Sequence, residues 1–166
     1  DFLGNDLSKI SSELDKLCLL IPINSEITEQ DIEENIGISK DYNNFELQNA
    51  IMNKDAIKAN KIINYFKANP KKNPVVVTLS TLYNLFSKIL KYHGLSEKNP
   101  QKIAKILEIN PFFVNDYKKA AKLYNLKDAV HALSALREVD LKSKGYKNRS
   151  VPDSELLKEL VYKLCY

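Results

Sequence analysis

The sequence predicts an all-α protein: a helical bundle preceded by two further helices. Of its 166 residues, 44% are hydrophobic, which is enough for a buried core. The four glycines and six prolines leave room for few sharp turns. Apolar residues recur mainly at intervals of three and four, which is the period of a helix face rather than of a strand.

Two helices are predicted ahead of the bundle. The first should end near Pro22, because proline interrupts a helix. Its apolar stripe consists of Leu3, Leu7, Ile10, Leu14, Leu17 and Ile21. The second opens on Thr28 and Asp31, a variant of the capping box, and ends at Gly37. Its apolar face consists of Ile32 and Ile36. Two such helices cannot bury their faces alone, so they are expected to close a preceding domain.

Asparagine–proline pairs mark the helix starts in the bundle. They occur at residues 69–70, 73–74, 99–100 and 110–111. Asparagine is a good N-cap and proline a good first helical residue, so helices are predicted to start at Pro74, Pro100 and Pro111. A helix pair over residues 44–52 and 55–67 should precede them. The side chains expected to point inward from this pair are Phe45, Ile51, Ile57, Ile62, Ile63 and Phe66.

The helix that starts at Pro74 is predicted to be the centre of the bundle. It is apolar over much of its circumference and should end at Gly94. Its apolar residues are Leu79, Leu82, Leu85, Phe86, Ile89 and Leu90.

Three longer helices are predicted after it, over residues 111–124, 127–144 and 152–165. Their inward side chains are expected to be Phe112, Phe113, Tyr117, Tyr124, Val130, Leu133, Leu136, Val139, Leu156, Leu157, Leu160, Val161 and Leu164.

The sequence carries no recognisable catalytic, cofactor-binding or metal-binding motif. A nucleophile elbow, a Walker A loop and a GxGxxG loop are all missing from it. His93 and His131 have no acidic or thiol partner at ligand spacing, so structural roles are favoured over a zinc site or a small helical enzyme. Cys18 and Cys165 lie in apolar helical patterns and are expected to be buried free thiols.

The charge pattern leaves a nucleic-acid or partner surface open. The formal net charge is +4 and is carried mostly by lysine. One segment concentrates cations at a helix end and the following loop, with a tyrosine among them. The candidate partner or DNA interface therefore consists of Lys142, Lys144, Tyr146, Lys147 and Arg149. No run approaches the roughly 20 apolar residues of a membrane span, so no membrane partner is expected.

Six segments, taken in order, resemble one protein family. They are SELDKL from Ser12, ITEQDIEENIG from Ile27, FELQNAIMNKDAIKANKIINYF from Phe45, NPFFVNDYKKAA from Asn110, REVDLKSKG from Arg137 and LLKELVYKL from Leu156. Together they resemble the delta subunit of the bacterial DNA polymerase III clamp loader. The resemblance covers the end of its second domain and its whole third domain.

The resemblance implies a domain division and a set of partners. Residues 1–38 would be the C-terminal fragment of a lid-like AAA+ domain, residues 39–43 a hinge, and residues 39–166 together the helical collar domain. The collar would pack against the motor subunits, gamma or tau, and against delta-prime, and would meet DNA only through the complex. Contacts with the sliding clamp belong to the family's first domain, which the segments do not cover.

The leading hypothesis is accordingly a non-catalytic assembly module of the bacterial cytoplasm, without a cofactor, acting in DNA replication. The alternative is a free-standing helical nucleic-acid-binding or adaptor domain that uses its lysine-rich faces.

Overall fold

Every regular element in the described part of the chain is a helix, which confirms the all-α prediction. The computed structural model describes residues 7–21, 25–28, 31, 42–97, 99–146 and 150–166. The chain divides into two compact units, Asp1–Asn43 and Asn44–Tyr166. The domain boundary predicted at residues 38 and 39 lies outside the described residues.

The first unit contains helix α1, which spans Leu7–Leu20 and ends close to the predicted stop. Its apolar stripe is only partly buried, because Leu17 is enclosed whereas Leu7 and Leu14 are exposed. The expectation of a buried thiol at Cys18 was wrong, since this side chain is also exposed.

The capping pair predicted for the second helix is present. The backbone N–H of Thr28 donates to the Asp31 carboxylate at 2.9 Å, and the backbone N–H of Asp31 donates to the Thr28 hydroxyl oxygen at 3.2 Å. The predicted continuation of this helix through Ile32, Ile36 and Gly37 lies outside the described residues.

The second unit is a bundle of helices with short connections. The first two are α2, Asn44–Met52, and α3, Ala56–Ala68. They are followed by α4, Val75–His93, and α5, Pro100–Leu107. A 3-10 turn, Pro111–Phe113, leads into α6, Val114–Leu123. The last two are α7, Leu126–Ser143, and α8, Asp153–Cys165.

The asparagine caps were predicted correctly in one case and incompletely in another. The Asn99 side chain accepts the N–H of Gln101 at 2.9 Å, and α5 begins at Pro100 as expected. Asn110 likewise accepts the N–H of Phe112, but the turn that it caps is a 3-10 turn, and α6 proper begins only at Val114. Proline at the first position therefore fixed the start of the turn but not its helix type.

Several other helices begin one residue away from the predicted start. Helices α4 and α8 begin at Val75 and Asp153 because Pro74 and Pro152 have extended backbone and occupy the cap position. Helix α7 starts at Leu126, one residue before the predicted start. There Asn125 and Asp128 form a capping box that was not predicted: the Asn125 side chain accepts the N–H of Asp128 at 3.1 Å, and the Asp128 carboxylate accepts the N–H of Asn125 at 3.0 Å.

Helix α4 is the central helix, as predicted, since it contacts α7 most extensively and also packs against α2 and α6. The Phe86 ring is fully buried and meets the Tyr124 ring edge to face, with 5.1 Å between the ring centroids. The Tyr124 hydroxyl donates to the Ile51 carbonyl oxygen at 2.7 Å, and His93 Nε2 lies 2.7 Å from the Tyr124 carbonyl oxygen. Tyr124 thereby joins the ends of α2, α4 and α6, and His93 has a structural partner.

Four side chains predicted to be inward are exposed: Phe45, Ile57, Phe112 and Val130. In the first half of α7 the buried positions are Ala129 and Ala132, and Leu136 and Val139 are buried further along the helix. The small alanines let this part of α7 pack closely on α4, and Val130 lies at the edge of the contact. Ala59 is buried in α3 in the same way, whereas Ile57 lies outside. The apolar spacing predicted helices correctly, but it overestimated the width of their buried faces.

Thr78 contains a buried hydroxyl that has no hydrogen-bond partner among the described residues. An unpaired buried hydroxyl costs free energy, so replacing Thr78 with the isosteric valine should raise the free energy of unfolding by about 1–2 kcal/mol. Urea unfolding measures this. The matched control is Thr81→Val, because the Thr81 hydroxyl already donates to the Val77 carbonyl oxygen at 2.9 Å. A Thr78→Val variant less stable than the unmodified chain would contradict the assignment.

Candidate subunit interface

The basic segment predicted as an interface is partly neutralised by neighbouring carboxylates. Lys142 Nζ lies 2.7 Å from Glu138 Oε1 and 3.8 Å from Glu159 Oε1. Lys144 Nζ lies 2.6 Å from Asp140 Oδ2. Tyr146 is exposed, and Lys147 and Arg149 lie outside the described residues. The two described lysines therefore already have anionic partners within the fold.

The ion pairs of Lys142 belong to a network that joins α7 to α8. Lys163 Nζ on α8 lies 3.1 Å from Glu138 Oε2 and 2.7 Å from Glu159 Oε1. Hydrogen bonds from Lys142 and Lys163 lower the pKa of Glu138, and a hydrogen bond to Glu159 raises the pKa of Lys163. All four side chains are partly exposed, so the network contributes modestly and depends on salt.

The network predicts a pH dependence at Glu138. Because its pKa is lower in the folded than in the unfolded chain, its contribution to stability is present above pH 4.5, the ordinary value, and is lost as the pH falls through the folded pKa. The unfolding free energy of Glu138→Gln should therefore be lower than that of the unmodified chain at pH 7. The difference should shrink as the pH falls well below 4.5. Urea unfolding across this range measures it, and a difference that stayed constant with pH would contradict the pairing.

A largely apolar groove runs between α4 and α7. This α4–α7 groove has a volume of about 570 Å³. Its floor and walls are formed by Val76, Leu79, Tyr83, Val130, Leu133 and Leu136. Leu79 and Leu136 are buried at the floor, whereas Val76, Tyr83 and Val130 expose about half of their surface. Water-exposed apolar walls around an apolar floor are typical of a surface that a partner covers.

One cation lies at the rim of this groove without an ion-pair partner among the described residues. Arg137 on α7 is exposed and lines the groove. Asp140, the acidic residue on the same rim, forms an ion pair with Lys144.

The groove was not predicted from the sequence. The run Val75–Val77 and the position of Tyr83 outside the main stripe of α4 were signals for a second apolar face.

A smaller aromatic surface lies on the side formed by α2 and the 3-10 turn. The Phe45 and Phe113 ring centroids are 6.2 Å apart, and those of Phe112 and Phe113 are 5.4 Å apart, both edge to face. The adjoining pocket is about 270 Å³ and also includes Lys88 and Asp116. The rings contact one another, so they stabilise this corner as well as exposing apolar area.

The described residues offer little else for chemistry. No group of three or more histidine, cysteine, aspartate or glutamate side chains that could hold a metal ion occurs among them. His131 is exposed. Cys165 is buried, and burial raises the pKa of its thiol, which keeps it protonated and unreactive. None of the helices described is both long enough and apolar enough to span a membrane.

Comparisons with known proteins agree on one family. Residues 41–162 match the family model of the DNA polymerase III delta subunit, C-terminal domain. The DNA polymerase III subunit delta of Bacillus subtilis (strain 168) is 28% identical over 155 residues, which are 93% of this chain and 43% of that protein.

A solved structure, the DNA clamp loader delta protein of Bacillus subtilis, matches with a TM-score of 0.59 and 26% identity. The match covers 96% of this chain and 46% of that one. The chain thus spans less than half the length of either relative. Since the family model covers most of the chain, the chain belongs to the family of DNA polymerase III delta subunits, and its residues 41–162 match the C-terminal domain of that subunit.

Proposed function

We propose that this chain is a non-catalytic assembly module that packs against other clamp-loader subunits through its helical bundle during DNA replication. The match of residues 41–162 to the delta C-terminal domain carries the proposal. The α4–α7 groove supports it, because it offers apolar surface for a neighbouring subunit. The partners that we propose are the motor subunits, gamma or tau, and delta-prime, in the bacterial cytoplasm.

The proposed domain division follows the same analogy. Residues 39–166 would form the collar, and residues 1–38 would belong to a lid-like AAA+ domain. DNA would be met through the assembled complex rather than through this chain alone.

Reconstitution tests this function. The chain is mixed with the motor and delta-prime subunits of the same organism and analysed by size-exclusion chromatography with light scattering. We expect a complex that contains this chain. The proposal fails if the folded chain elutes alone while a longer delta protein that includes it joins the complex.

The segment formed by Lys142, Lys144, Tyr146, Lys147 and Arg149 is proposed as a second, smaller contact within the assembly. The exposed Tyr146 ring at the end of α7 supports it.

The alternative function is that of a free-standing nucleic-acid binder. It requires that the affinity for a labelled duplex fall steeply with salt concentration and weaken on charge reversal at Lys142 and Lys144. The assembly proposal expects no such salt-dependent binding by this chain alone.

A further inference from the structure

The shape of the α4–α7 groove suits a helix. Its two walls are helices of 19 and 18 residues, so it can extend for up to about 27 Å. Ser80 and Ser134 line it between the larger wall residues. Such small side chains leave holes into which the side chains of a third helix can insert. The Ser134 hydroxyl donates to the Val130 carbonyl oxygen at 3.0 Å, so it places no unpaired donor in the groove.

The charge of the rim restricts what can occupy the groove. Arg137 is exposed and has no ion-pair partner in the part of the chain that the structure describes, whereas Asp140 is paired with Lys144 at 2.6 Å. The uncompensated charge on the rim is therefore positive. A guanidinium beside an apolar groove is best matched by a carboxylate, which it can bind through two parallel hydrogen bonds.

Two other occupants fit less well. In a symmetric dimer the same patch faces itself, so the carboxylate available to each Arg137 would be the partner copy's Asp140, which Lys144 already neutralises. Nucleic acid requires several phosphate contacts, and among the residues that the structure describes the groove lining offers one cation above a floor of leucines.

We infer that the α4–α7 groove receives an amphipathic helix of a neighbouring clamp-loader subunit, whose apolar stripe fills the groove and whose carboxylate pairs with Arg137. This inference rests on the proposed function and identifies the surface that performs it. Val76, Tyr83 and Val130 supply the apolar contact, and Arg137 sets the register of the incoming helix.

Neighbouring valines on α4 provide a matched test. Val76 lines the groove and is 59% exposed, whereas Val77 does not line it and is 50% exposed. Both substitutions, Val76→Glu and Val77→Glu, introduce one carboxylate at an exposed site of the same helix, so their effects on folding should be similar. The second pair is Arg137→Glu with Lys118→Glu as its control, because Lys118 is exposed on α6 away from the groove.

Each variant of the full chain is titrated with the motor and delta-prime subunits, and its affinity is measured by biolayer interferometry. Val76→Glu and Arg137→Glu should each weaken binding by about tenfold or more, whereas Val77→Glu and Lys118→Glu should bind like the unmodified chain. Circular dichroism and thermal unfolding of all four variants establish that they are folded.

The possible outcomes separate the inference from the function that it refines. If the unmodified chain binds and Val76→Glu and Arg137→Glu bind equally well, the groove is not the contact, although the assembly role stands. If the unmodified chain does not bind, the assembly role itself fails. If the chain alone is a dimer that Val76→Glu converts to a monomer, the groove holds a second copy and the inference is overturned.

Discussion

Replacing Phe86 with alanine is expected to lower the free energy of unfolding of the bundle by about 3–5 kcal/mol. The ring is fully buried in α4 and packs edge to face against Tyr124 at 5.1 Å. Its removal would leave a cavity between rigid helices that cannot collapse into it. Since the free energy of unfolding of small domains is only about 5–15 kcal/mol, this one substitution would remove a large part of the stability of the bundle.

Urea unfolding measures the effect, and Tyr83 supplies the control. Tyr83 lies on the same helix and is 56% exposed, so Tyr83→Ala should alter stability by only about 0.5 kcal/mol. If the two variants had equal free energies of unfolding, the assignment of α4 as the central helix of the bundle would be wrong.

Removal of helix α8 should abolish cooperative folding of the bundle. Helix α8 packs against α3 and α7. It buries Leu156, Leu157, Leu160, Val161, Leu164 and Cys165. At about 1.5–3 kcal/mol for each large apolar side chain, this face contributes about as much as the whole net stability of a small domain.

A chain that stops after Ser150 tests this expectation by thermal unfolding and circular dichroism. The control is the double variant Tyr162→Ala and Tyr166→Ala, which removes two exposed rings of the same segment and leaves the buried face intact. A truncated chain that still unfolded in one sharp transition near the original temperature would contradict the assigned role of α8.

The sequence predicted the helices well because their signals are local. Asn99 followed by Pro100 predicts a helix start from two residues alone, and the broad apolar stripe of α4 predicts that this helix is central. Asn125 was missed because no proline follows it, although Asp128 three residues later completes a capping box.

The surfaces were harder to predict because they depend on which helices meet. Val130 and Ile57 follow helical apolar spacing, yet both are exposed, because alanines nearby occupy the positions that face the core. The groove joins residues near 76–90 to residues near 130–140, and nothing local in either stretch indicates the other. The cationic segment was visible in the sequence, and Glu138 and Asp140 lie four residues before Lys142 and Lys144 on the same helix, a spacing that favours ion pairs. The approach of Glu159 on α8 to Lys142 was not predictable in this way, because it depends on how α8 packs against α7.

Site-specific photo-crosslinking tests most directly the claim that this chain holds neighbouring subunits through the α4–α7 groove. Benzoylphenylalanine replaces Tyr83 in the groove or, as a comparison, Tyr162 on the exposed side of α8. Each protein is assembled with the motor and delta-prime subunits and irradiated. We expect a crosslink from position 83 to one loader subunit. If position 83 yielded no crosslink in an assembled complex, and most clearly if position 162 did, the groove would not be the contact.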